Sequence, residues 1–159
     1  MQTVTFTVNK ANVYDEVAKT TAYTGAKAQD EKVSYERVFA TDEDRLALER
    51  FWAEASNAVT DLFKPFLTSV TSQPEGQGVD ITRNYVAVLE ISGSYDTALN
   101  DSIGSSLFSF FSLFIVGKWF KYTNKDDAAS YANEAAGMLE DVKSKIYYRK
   151  KPRRVAPTE

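Results

Sequence analysis

The chain has 159 residues, a formal net charge of −3, 43% hydrophobic residues, and neither Cys nor His. That length can bury one core without covalent staples, and the apolar fraction is too high for a disordered chain. The missing residues exclude disulfides, thiolate nucleophiles, Fe–S clusters, cysteine zinc sites and every triad, general base or metal ligand that needs an imidazole.

Residues 3–8 alternate, with Val4, Phe6 and Val8 against Thr3, Thr5 and Thr7, the period-2 signature of a half-buried strand rather than a basic secretory leader. Asn9 is placed to cap a helix whose inner face carries Val13, Val17 and Thr21, and Gly25 is placed to stop it. Residues 26–40 are mixed and charged, and Val33, Tyr35 and Phe39 suggest a short extended stretch. Thr41 and Asp44 have the spacing of a capping box. From there a long helix is expected to carry Leu48, Phe51, Trp52, Ala55, Val59, Leu62, Phe63, Phe66 and Val70 on one stripe, with a kink or break near residues 61–64 imposed by Pro65.

Pro74, Gly76 and Gly78 mark residues 71–79 as a polar loop. A strand over 80–91 should set Ile81, Tyr85, Ala87, Leu89 and Ile91 on one face. Val86 and Val88 on the other face suggest cover from both sides, and the N-terminal strand is the natural antiparallel partner. Asp96 should cap a helix reaching about Tyr122, apolar nearly all round between 107 and 120. Ser102, Ser105, Ser109 and Ser112 form a small-residue face on it. The uncharged run 102–117 is shorter than the ~20 residues of a spanning helix, so no membrane partner is expected. Asn124 and Asp127 should cap a last helix with an alanine-rich stripe, Ala128, Tyr131, Ala132, Ala135, Leu139, Val142 and Ile146, fraying before Pro152.

These elements predict a mainly α fold, a bundle of about four helices with a small antiparallel two-stranded β element. One domain should span 1–148, followed by a basic tail over 149–159. Residues 143–159 carry a charge of +6 and the rest of the chain −9. A basic end on an acidic body fits a solvated terminus, an acidic protein partner, or nucleic acid. The expected docking residues are Tyr147, Tyr148, Arg149, Lys150, Lys151, Arg153 and Arg154. The aromatic content of 13% exceeds what one small core readily takes. Phe108, Phe110, Phe111 and Phe114 are therefore expected at a subunit interface.

No dinucleotide fingerprint, P-loop, nucleophile elbow or EF-hand spacing is present. The expectation is a non-enzymatic protein with no cofactor and no metal.

The segment from Trp119-Phe120-Lys121-Tyr122-Thr123-Asn124-Lys125 to Tyr147-Tyr148-Arg149-Lys150-Lys151-Pro152-Arg153-Arg154 resembles the C-terminal part of small helical proteins of Bacteroides-type phages and prophages. The order of elements is similar to that of head–tail connector proteins of tailed phages. The likeness covers about the last 75 residues. It implies a virion structural protein at the neck, assembled in the host cytoplasm as a ring, usually of twelve copies, between portal and tail. DNA would pass through the ring without specific binding. The C-terminal segment would reach the portal, and Gln73, Glu75 and Gln77 of the polar loop could line the lumen. A tail-completion or tail-terminator protein, or a small nucleic-acid-binding module using the basic tail, are the alternatives.

Overall fold

The computed structural model describes residues 1–27, 45–71, 83–154 and 157–158. In chain order the elements are β1 (Gln2–Val8), α1 (Lys10–Lys27), α2 (Arg45–Phe63), β2 (Leu67–Thr71), β3 (Tyr85–Ile91), α3 (Asn100–Thr123) and α4 (Lys125–Tyr147), with a 3-10 turn at Thr97–Leu99 leading into α3. The class is mainly α with a small antiparallel β element. Among the described residues the sheet holds three strands in the order β1-β3-β2, one more than the alternation pattern revealed.

β1 inserts Val4, Phe6 and Val8 into the core and leaves Thr3, Thr5 and Thr7 exposed. Asn9 then caps α1, its Oδ1 accepting the Asn12 N–H at 3.0 Å. Val13, Val17 and Thr21 are fully buried. Gly25 does not end the helix, which continues to Lys27. A glycine stops a helix only where the chain turns into the left-handed region, and here it stays helical. The expected capping box at Thr41–Asp44, the extended stretch around Val33, Tyr35 and Phe39, and residues 72–82 lie outside the described residues.

Pro65 ends α2 outright. It lacks the N–H that the ladder needs and biases Lys64 away from helical geometry. The Phe66 N–H instead closes a tight turn on the Phe63 carbonyl at 2.8 Å. Phe66 and Val70 therefore leave the helical stripe, and Val70 lies in β2. The chain reverses, and β2 pairs with β3 through a register shift between Leu67 and Ser69. β3, the central strand, buries Tyr85, Ala87, Leu89 and Ile91, as the alternation predicted. Its other face is less covered than expected: Val86 and Val88 are half-buried and Glu90 is exposed.

Asp96 accepts the Ala98 N–H at 3.1 Å and so caps the 3-10 turn ahead of α3 rather than α3 itself. α3 packs along α4 and also meets α1, α2 and β1. That surround explains its composition. Within 97–123 the most apolar 18-residue window has a mean hydropathy of 1.4, so by length and composition the segment could cross a membrane. In this fold most of its apolar side chains are instead consumed by the core. α3 and α4 approach closely at Gly117, where a Cβ would stand 3.3 Å from the Ala132 backbone nitrogen and 3.4 Å from the Tyr131 Cβ. Of the predicted serine face, Ser102 is hydrogen-bonded to α4 through Lys145; Ser106, outside that spacing, bonds to Asp141 of the same helix. At the start of α4, Asn124 and Asp127 do pair, but through a side-chain bond from Asn124 Nδ2 to Asp127 Oδ2 at 2.8 Å rather than a backbone cap.

Aromatic rings knit the layers. Phe6 stacks on Phe63 at 5.6 Å, Trp52 leans on Phe111 at 4.6 Å, and Tyr85 meets Phe111 at 5.6 Å. Burying each such ring stabilises the fold by about 1.5–3 kcal/mol. The buried Tyr85 hydroxyl is satisfied by Thr60 at 3.0 Å.

Candidate interaction surfaces

The C-terminal docking residues fall into two groups. α4 ends at Tyr147, and Tyr148 turns the chain to extended geometry. The next two residues are tied back to the body. The Arg149 guanidinium donates to the Ile146 and Tyr148 carbonyls at 2.8 and 2.9 Å and lies 5.7 Å from the Phe66 ring centroid. Tyr147 meets the same ring edge-on at 5.3 Å. The Lys150 N–H donates to the Ser94 carbonyl at 2.8 Å, and its ammonium lies 3.4 Å from Asp96 Oδ1. The turn that receives it is itself held by Gln2, whose amide donates to the Ser92 and Tyr95 carbonyls. Tyr95 beneath it is buried, and that burial, with the Asp96 charge beside it, pushes its phenol pKa up.

Arg149 and Lys150 therefore belong to the fold more than to a free tail, which moves the start of the free arm to Lys151. Lys151, Arg153 and Arg154 are exposed and lie outside any helix or strand. Tyr147 and Tyr148 keep 48% and 52% of their surface, so both present an aromatic face beside the cations. Phe66, which sequence reasoning assigned to a helical stripe, is the platform for Tyr147 and Arg149. The signal that could have found it was Pro65 immediately before it.

The four phenylalanines expected at a subunit interface separate differently. Phe110 and Phe111 are 2% and 0% exposed, locked among Trp52, Tyr85 and each other, so they are core residues of this chain. The sequence could not distinguish them because α3 is apolar on every side. Phe108 and Phe114 are half-buried and retain surface.

Phe114 opens onto a groove of about 920 Å³ between α2, α3 and the first half of α4, floored by Phe110, Ala58, Ala132, Ala135 and Leu139. Lys118, Lys121 and Lys125 also line it. Lys118 lies 5.4 Å over the Phe114 ring and 3.5 Å from Glu54. Tyr122, 70% exposed, stacks on Phe51 beside it. The groove exists because α4 presents alanines where α3 presents rings, so the two helices meet closely at Gly117 and leave a shallow apolar trough alongside.

One polar cluster has the residue types of a serine–lysine dyad. Lys145 Nζ lies 2.7 Å from Ser102 Oγ and 2.5 Å from Asp141 Oδ2, and Ser106 Oγ donates to the same carboxylate oxygen at 2.7 Å. The two hydrogen bonds hold the Asp141 carboxyl pKa below its usual range. A lysine base must be stripped of water and of anions. Lys145 is half-buried and already holds a carboxylate, and the cluster clasps α3 to α4. Among the described residues no three Asp or Glu side chains converge on a point that could hold a metal ion. Gln73, Glu75 and Gln77 lie outside the described residues.

Among the described residues, a buried ion pair carries no signal in the sequence. Lys10, fully buried, places Nζ 2.6 Å from Glu49 Oε2, with Tyr14 Oη donating to Glu49 Oε1 at 2.5 Å. The ammonium also lies 5.6 Å from the Trp52 ring centroid. Lys10 directly follows the cap of α1, where a lysine normally faces water, so no local pattern marks it.

Comparison with protein-family models, with curated proteins and with solved structures returned no match.

Proposed function

We propose that this chain is a non-enzymatic assembly protein of a tailed-phage neck, a head–tail connector that works as a ring and docks on its neighbour through the C-terminal arm. The observation that carries this reading is the rooted basic arm. Arg149 and Lys150 fix the direction in which residues 151–154 leave the body, so Lys151, Arg153 and Arg154 are presented from a set point rather than as a loose terminus. Presenting charges from a rigid root lowers the entropy lost on docking. Arginine favours bidentate contact with carboxylates, which suits an acidic protein surface. The resemblance of the last 75 residues to connector proteins supplies the identity of that surface, the portal. The groove beside α3 and α4 supplies an apolar face that a neighbouring copy in a ring would cover.

Two measurements test the reading together. Native mass spectrometry should show a ring in the presence of the portal, and deleting residues 151–159 should abolish portal binding. Because the root stays intact, that deletion should leave the melting temperature within about 2 °C, whereas a deletion from Tyr148 onward should lower it. Full portal affinity after the shorter deletion would sink the proposal.

The exposed cations also support a second reading, a nucleic-acid-binding module. Its signature would be affinity for duplex DNA that falls steeply with salt and needs Lys151, Arg153 and Arg154.

A further inference from the structure

The sheet has two edges, and they are built differently. At the β2 edge Pro65 and Lys64 precede the strand and a register shift interrupts the pairing. Such features keep an edge from recruiting another strand. The β1 edge has none of them. Residues 1–9 contain no Pro, no Gly and no ionisable side chain, and the register with β3 is unbroken from Gln2 opposite Ile91 to Val8 opposite Tyr85.

The hydrogen-bond phase shows which groups this edge offers. The Glu90 N–H donates across to the Phe66 carbonyl, on the β2 side. In an antiparallel sheet successive residues point their main-chain groups to alternate sides. Val86, Val88 and Glu90 therefore face β2, and Tyr85, Ala87, Leu89 and Ile91 face β1. Their partners Val8, Phe6, Val4 and Gln2 bond inward. The N–H and C=O groups of Thr3, Thr5 and Thr7 point away from the sheet, and among the described residues nothing pairs with them. The same three residues are exposed.

We infer that the β1 edge is a pairing surface for β1 of a second copy of this chain, joined antiparallel about a two-fold axis at Thr5. The sequence Thr3-Val4-Thr5-Phe6-Thr7 reads almost alike in both directions. Antiparallel self-pairing sets Thr5 opposite Thr5, Thr3 opposite Thr7, and Val4 opposite Phe6. Threonine then meets threonine on the open face, and β-branched meets aromatic on the core face, both favourable cross-strand pairs. Six main-chain groups per copy that have no partner among the described residues gain one, and the three described strands of each copy join into one six-stranded sheet. The contact is isologous and closes at two copies. It therefore describes the free protein and stands independently of the ring reading, which needs a different face.

The test uses the full chain. Sedimentation over a wide range of concentration should show a dimer. Thr5→Pro removes an outward N–H that the monomer does not use, and Thr5→Lys sets two like charges face to face on the axis. Each should raise the dimer dissociation constant about tenfold or more while the far-ultraviolet spectrum stays native. The chain has no cysteine, so a single introduced thiol reports the register directly. Across the axis the Thr5 Cα atoms would be about 5.5 Å apart, within disulfide reach. Thr5→Cys should cross-link on oxidation. Thr3→Cys or Thr7→Cys alone should not, whereas a mixture of the two should. A chain that stays monomeric throughout, a dimer indifferent to both Thr5→Lys and Thr5→Pro, or cross-linking of Thr3→Cys as efficient as that of Thr5→Cys would overturn the inference.

Discussion

Removing the buried ammonium of Lys10 by Lys10→Met should be among the most damaging single changes in this protein. At 2.6 Å the pair with Glu49 has a gross attraction of about 6 kcal/mol at an effective dielectric of about 20. Desolvation offsets most of that, at several kcal/mol per ion. Deleting one partner removes the attraction but leaves the other charge in its site, here Glu49 with a side chain only 15% exposed and Tyr14 bonded to it. The expected cost is about 3–5 kcal/mol. For a chain of this length each kcal/mol shifts Tm by about 3 °C, so a fall of about 9–15 °C is expected. Glu49→Met should also destabilise by several kcal/mol, since it removes the carboxylate that pairs with a fully buried cation. The double variant Lys10→Met/Glu49→Met should recover most of the loss, because an apolar pair of similar volume replaces an ion pair at little net cost. Urea and thermal melts followed by circular dichroism measure all four corners of the cycle. A Lys10→Met variant that loses less than about 1 kcal/mol, or a double variant that loses the sum of the singles, would refute the argument that this pair is a coupled buried unit.

Three further outcomes follow from the helix pair. Gly117→Val should destabilise by about 3 kcal/mol in a urea melt, since its side chain must displace the Ala132 backbone and Tyr131, whereas Gly137→Ala, with nothing within 4 Å, should stabilise by about 0.5–1 kcal/mol through helix propensity. Asp141 has its carboxyl pKa held down by Lys145 and Ser106, so its contribution is present above the unfolded pKa of about 4 and is lost as pH falls through the lower native value. Asp141→Asn should therefore flatten the acid limb of a stability-versus-pH curve below about pH 4 without adding any loss there.

Local chemistry is legible in the sequence wherever one element decides its own geometry. The period-2 run in β1, the alternation in β3, the cap at Asn9 and the termination of α3 at Thr123 all follow from side-chain spacing and from groups that must find partners within a few residues. So does the mainly helical class. What the tertiary structure decided is how apolar surface is shared. Phe66 and Val70 fit a helical stripe by spacing, yet one missing N–H at Pro65 sends them into a turn and a strand where β3 needed a partner. Phe110 and Phe111 cannot be told from Phe108 and Phe114 by pattern, because α3 is apolar on every side and only the positions of α1, α2, α4 and the sheet determine which rings are covered. Lys10 finds Glu49 across 39 positions of chain, and Lys150 finds Ser94 across 56. A periodicity records the direction in which a side chain points on its own helix or strand, and burial depends on what another element brings to meet it.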